Sequence, residues 1–148
     1  MTGESGAIGV VVVTHGQLAS ELLNAAEMIV GDLPGFSAVS IGWHDDVDAA
    51  REAIERAIDK ARASSAGVLL LTDMFGGTPS NLGLTFLEAG RVEVVTGVNL
   101  PMLIKLAKAA RQGDLTTVAR DLCGHGRAAI RVASDLLRTD RETGKAGG

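Results

Sequence analysis

The stretch AIGVVVVTHG, residues 7–16, decides how the rest of the chain reads. Four consecutive valines, Val10 to Val13, leave no polar position on either side of a strand. Such a run belongs to a parallel sheet covered by helices on both faces. The strand ends in Thr14-His15-Gly16, so an imidazole stands where the chain leaves the sheet. Beyond it, Leu18, Leu22, Ala25, Ala26 and Ile29 recur at helical spacing and Gly31 stops the helix.

The same alternation continues. FSAVSI over residues 36–41 is a short strand, and Asp45 or Asp46 caps a helix whose apolar stripe is Val47, Ala50, Ile54, Ala57, Ile58 and Ala61. GVLLLT, residues 67–72, is a third buried strand running into Asp73. Thr78 reads as an N-cap with Pro79 at the first helical position. Residues 92–96 form a fourth strand, and a helix from about Leu100 stops near Gly113. Asp114 caps a long last helix reaching Leu137. Strands alternating with helices predict an α/β single-domain three-layer sandwich over residues 1–137. Its sheet is mainly parallel, of order 2-1-3-4, with helices on both faces. Residues 138–148 read as a polar, disordered tail.

Composition narrows the function. The chain has 148 residues with a net charge of −4, which argues against nucleic acid as the main partner. The single Cys123 provides no disulfide framework and suits a reducing compartment. The N-terminal segment lacks the basic flank of a signal peptide, and no apolar run reaches membrane-spanning length, so a cytoplasmic protein is expected. There is no paired-cysteine or H-x-x-x-H spacing for a metal, and neither a P-loop nor G-x-G-x-x-G for a nucleotide. No metal and no cofactor are expected.

In a parallel sheet, ligands bind beyond the carboxyl ends of the strands where strand order reverses. Order 2-1-3-4 puts His15 and Asp73 side by side at that place. A nucleophilic histidine needs one nitrogen free and the other held by a fixed acceptor, which a carboxylate supplies. An anionic group on the ring needs donors: Thr14 and Gly16 at one helix start, and Gly76, Gly77 and Thr78 at another, are the candidates. A histidine after a strand can equally be a structural residue, and Gly-Gly-Thr-Pro is also ordinary turn-and-cap chemistry. His44 reads as exposed in a polar turn, with a weak metal site conceivable, and His125 as a packing or subunit-contact residue on the last helix.

Three segments together, GVVVVTHGQLASELLNAAEMIVG, GVLLLTDMFGGTPSN and VVTGVNLPML, resemble the mannose-type enzyme IIA component of the sugar phosphotransferase system. The resemblance covers about residues 7 to 137. It implies phosphorylation of His15 on Nε2, with Asp73 holding Nδ1 and Thr78 helping to hold the phosphoryl group. It implies phospho-HPr as donor, a IIB component as acceptor, and a homodimer exchanging an edge strand, which would add a strand to the sheet. Leu115 to Cys123 nevertheless reads as helix. The chain stops after a short polar tail, so IIB is expected to be a separate protein or absent. A second departure is Trp43-His44-Asp45-Asp46, where related sequences often carry a Pro-Gly-type turn. Two other functions remain open: a stand-alone regulatory phosphoprotein reporting carbon status, and a histidine-dependent phosphatase, the latter disfavoured because no arginine adjoins His15.

Overall fold

A computed structural model describes residues 7–63, 66–108 and 111–138. The elements are β1 (Gly9–His15), α1 (Leu18–Val30), β2 (Phe36–Ile41), α2 (Val47–Arg62), β3 (Val68–Thr72), α3 (Thr78–Leu84), β4 (Val92–Thr96), α4 (Leu100–Lys108) and α5 (Leu115–Ala128). A further helical turn spans residues 133–138. Among the described residues the three pairings between these strands are parallel and the order is β2-β1-β3-β4. The expected sheet order and three-layer arrangement are therefore observed.

The valine run explains the layers. Val10 and Val12 pack into one core with Leu23, Leu69, Leu103 and Leu122, beneath α1, α4 and α5. Val11 and Val13 face the opposite core with Ile54, Ile58, Leu70 and Leu82, beneath α2 and α3. Successive strand residues point to opposite faces, so each valine of the run removes its side chain from water on one side or the other. Complete burial of such a side chain contributes roughly 1.5–3 kcal/mol. Every residue of β1 except His15 is buried.

Capping follows composition at two helices. Asp46 accepts from the Ala49 N–H at 3.2 Å to start α2, and Asp114 accepts from the Thr117 N–H at 3.0 Å to start α5. Arg111 ties three segments together: its guanidinium donates to the carbonyls of Ile8 at 2.8 Å and Pro34 at 2.9 Å and lies over the Phe36 ring. Burial pulls its pKa down from the usual arginine value.

The structure corrects several details. The buried face of α1 is Ala19, Leu23 and Ala26, one position round from the expected stripe, and Leu18 and Ile29 are exposed. The phase is set by Thr14, whose hydroxyl accepts from the Ala19 N–H at 2.6 Å. The cap of α3 is Gly77, not Thr78, and Pro79 stands one position further in. The long last helix is broken: α5 ends at Ala128, and residues 127–138 are all exposed. Gly126 is the last residue of this helix seated on the core, against Met102. Beyond it, Ile130, Val132 and Leu137 have no core to cover them among the described residues. Arg138, assigned to the tail, belongs to the final helical turn and pairs with Asp135. The rest of the tail, residues 139–148, lies outside the described residues. No fifth strand is paired to the sheet among the described residues, and Leu115–Cys123 is helical.

Candidate functional site

The sheet brings the site together. From β1 the chain crosses to β2 on one side and later returns to β3 on the other, so strand order reverses between β1 and β3. His15 is the last residue of β1, and Asp73 directly follows β3, whose Thr72 is in register with Val13. Side chains from these two adjacent ends therefore meet.

His15 Nδ1 lies 2.7 Å from Asp73 Oδ2, and the His15 backbone N–H donates to that same oxygen at 3.1 Å. The other oxygen, Oδ1, accepts from the Met74 N–H at 3.1 Å. Burial works to raise the Asp73 pKa, but the bonds from the His15 ring and backbone outweigh it and hold the carboxyl below its ordinary value of 3.8. An ionised carboxylate can only accept, so the proton between the two groups sits on Nδ1. In the neutral ring this leaves Nε2 with its lone pair. The His15 side chain is 51% exposed while Asp73 is 13% exposed. The acceptor is sheltered and the ring edge is open.

Gly77 closes one side of that edge. Its φ is +86°, and a β-carbon built there would sit 3.0 Å from Nε2 and 3.1 Å from Cε1. Glycine is required twice over, by the backbone conformation and by the imidazole. Gly76, with φ +97°, precedes it and donates its N–H to Ser80 Oγ at 3.1 Å. Ser80 is completely buried. Sequence reasoning missed this residue, because a serine after a proline gives no signal distinguishing an anchor from a helix surface.

The remaining candidates divide. Thr78 is exposed in the first turn of α3. Thr14 is fully buried, its hydroxyl committed to the Ala19 N–H and the His15 carbonyl, so its support is indirect. The Gly16 N–H, expected to be free for an anion, instead donates to the Ile41 carbonyl at 2.8 Å. That bond fixes the end of β2 to the residue after His15. Asn99 caps α4 through the Met102 N–H and ties it to α5 through the Gly126 carbonyl. His44 and His125 are exposed. Cys123 is partly buried beside the core under α5. Among the described residues no group of three His, Cys, Asp or Glu side chains is arranged to hold a metal ion.

The model of the family described as "PTS system fructose IIA component" (EIIA-man) matches residues 9–123, which include every residue of this site. The chain belongs to this family. This IIA chain is 37% identical over 105 residues to the PTS system mannose-specific EIIAB component of Escherichia coli K12, a match covering 66% of the chain and 30% of that relative. It therefore spans less than a third of that longer protein. It is 28% identical over 131 residues to the PTS system fructose-specific EIIA component of Bacillus subtilis, covering 88% of the chain and 89% of the relative. Among solved structures it resembles the PTS IIA protein associated with the fucose utilization operon of Streptococcus pneumoniae, with a TM-score of 0.81 and 26% identity, covering 90% of this IIA chain and 98% of the other. The mannose/sorbose-specific IIA subunit of Enterococcus faecalis aligns with a TM-score of 0.76 at 27% identity, covering 85% and 94% of the two chains. Among the described residues of this IIA chain, no helix is long and apolar enough to cross a membrane.

Proposed function

We propose that the chain is a cytoplasmic phosphohistidine carrier of a sugar phosphotransferase system. It accepts a phosphoryl group from phospho-HPr on Nε2 of His15 and passes it to a IIB component. The observation that carries this reading is the 2.7 Å contact between His15 Nδ1 and the Asp73 carboxylate, with the opposite edge of the ring open.

In the transfer, the donor's N–P bond breaks as a new N–P bond forms at His15 Nε2. The donor ring recovers its lone pair. The Nδ1 proton stays in its bond to Asp73, whose negative charge offsets the positive charge gained by the His15 ring. His15 is the catalytic residue and Asp73 positions it. The backbone at Gly77 lines the approach to Nε2, Gly76 holds that turn through Ser80, and Thr14 and Gly16 hold the end of β1; the Thr78 hydroxyl, exposed in the first turn of α3, is the further donor proposed for the phosphoryl group. Phosphoryl transfer asks mainly for such positioning and charge stabilisation.

A homodimer is part of the proposal, supported by the uncovered apolar side chains Ile130, Val132 and Leu137. Incubation with phosphoenolpyruvate, enzyme I and HPr tests the carrier role. The wild type should take up label and His15→Ala should not. Label uptake by His15→Ala at the normal rate would refute the assignment.

A further inference from the structure

Trp43, the sole tryptophan of the chain, is 93% exposed. A side chain of this size normally buries most of its surface, and tryptophan is among the residue types enriched where partners bind. Its position is fixed by backbone bonds. Ile41 ends β2 in register with His15, and its carbonyl accepts from the Gly16 N–H. Gly42 then opens a turn closed twice by Asp45: the Asp45 N–H donates to the Gly42 carbonyl at 3.2 Å, and Asp45 Oδ2 accepts from the Gly42 N–H at 2.5 Å. Trp43 and His44 are the two central residues of that turn. The indole is thus displayed on a pinned loop at the same sheet rim as His15.

Leu18, Met74 and Phe75 are exposed on the other segments leaving this rim. On the loops leaving β1, β2, β3 and β4 the charge is of one sign, and a basic side chain enters this rim from α5, where Arg127 follows the Gly126 whose carbonyl accepts from Asn99. Residues 14–21, 41–50, 73–81 and 96–100 contain Glu21, Asp45, Asp46, Asp48 and Asp73, and no Lys or Arg. A dianionic phosphoryl group approaching these carboxylates needs cations, and the loops leaving β1, β2 and β3 supply none. On this side of the rim they arrive with the partner.

We infer that Trp43 anchors the docking of the phosphoryl-donor protein, whose face combines an apolar patch for the indole with basic side chains around its phosphohistidine. This rests on the carrier reading given above. It adds a specificity-determining residue on β2's loop, outside the His15–Asp73 pair and the Gly76–Thr78 turn.

The test uses the full chain, enzyme I, phosphoenolpyruvate and HPr. Trp43→Ala should raise the KM for phospho-HPr at least tenfold, with the loss in KM rather than kcat, and unchanged circular dichroism should show the fold intact. Because the chain holds one tryptophan, its emission should shift to the blue when a tryptophan-free HPr is titrated in. Asp48→Lys should raise the KM as well, by reversing a rim charge. A wild-type KM in Trp43→Ala with unshifted emission would overturn the inference while leaving the carrier role standing. Normal charging by HPr combined with impaired transfer to a IIB protein would also overturn it, by placing the indole against the acceptor. Failure of the wild type to accept any label would instead remove the carrier reading itself.

Discussion

One oxygen of Asp73 takes two hydrogen bonds from a single residue: Oδ2 receives the ring Nδ1–H of His15 at 2.7 Å and the His15 backbone N–H at 3.1 Å. The backbone bond fixes the carboxylate relative to the end of β1, and the ring bond fixes the imidazole relative to the carboxylate. Orientation and tautomer are set by the same atom.

Asp73→Asn should keep the fold and slow phosphoryl transfer by up to about 10,000-fold, the scale of losing an aspartate that holds a reacting histidine in its tautomer and orientation. The amide cannot supply negative charge to the ring, and its NH2 group can turn toward Nδ1 and favour the wrong tautomer. Rapid-quench labelling gives the rate, and ¹⁵N spectra of the His15 ring give the tautomer.

The Asp73 carboxyl should titrate below its ordinary value of 3.8, because the His15 bonds favour its charged form over the effect of burial. The sign follows. With the folded pKa below the unfolded one, the carboxylate's contribution to stability is complete above about pH 4 and is lost as pH falls through the folded value. Carboxyl ¹³C shifts should show a midpoint below 3.8. Acid unfolding of wild type and Asp73→Asn should converge only in that lower range.

Gly77→Ala should abolish most phosphoryl acceptance, at least 100-fold, since its methyl would lie 3.0 Å from the attacking nitrogen. The positive φ adds a backbone cost of about 1–2 kcal/mol. Thermal unfolding should show that modest loss, while labelling shows the much larger one.

Ser80→Ala removes the buried partner of the Gly76 N–H. An amide left unpaired costs about 1–3 kcal/mol, read as a lower midpoint in urea. Transfer should slow along with it, because the turn carrying Gly77 loses its tether. Leu103→Ala, by contrast, empties a fully buried site distant in the chain from these loops. It should cost about 2–5 kcal/mol with little change in the transfer rate of the molecules that remain folded.

Much of this was legible in the sequence, for reasons that can be named. The four-valine run admits only a two-sided strand, and strands β2 and β4 were bounded correctly because Gly, Pro and charged residues punctuate them. The meeting of His15 and Asp73 followed from strand order alone. What escaped notice depended on which partner each polar group takes, a few residues along the chain at Thr14 and Ser80 and on the neighbouring strand at Gly16. Thr14 and Gly16 look like anion donors in isolation, yet the His15 carbonyl and the Ile41 carbonyl already take those donors. Ser80 became visible only when α3 folded back over its own entry turn. The end of α5 at Ala128 depends on where the core stops, and helical spacing continuing to Leu137 carries no information about that.

The most direct measurement is the site of phosphorylation itself. After charging by phosphoenolpyruvate, enzyme I and HPr, long-range ¹H–¹⁵N spectra of the ¹⁵N-labelled chain should show one phosphohistidine, at residue 15 and modified on Nε2, with Nδ1 still carrying its proton. Phosphate on Nδ1, or on His44 or His125 in place of His15, would contradict the geometry from which the whole mechanism is drawn.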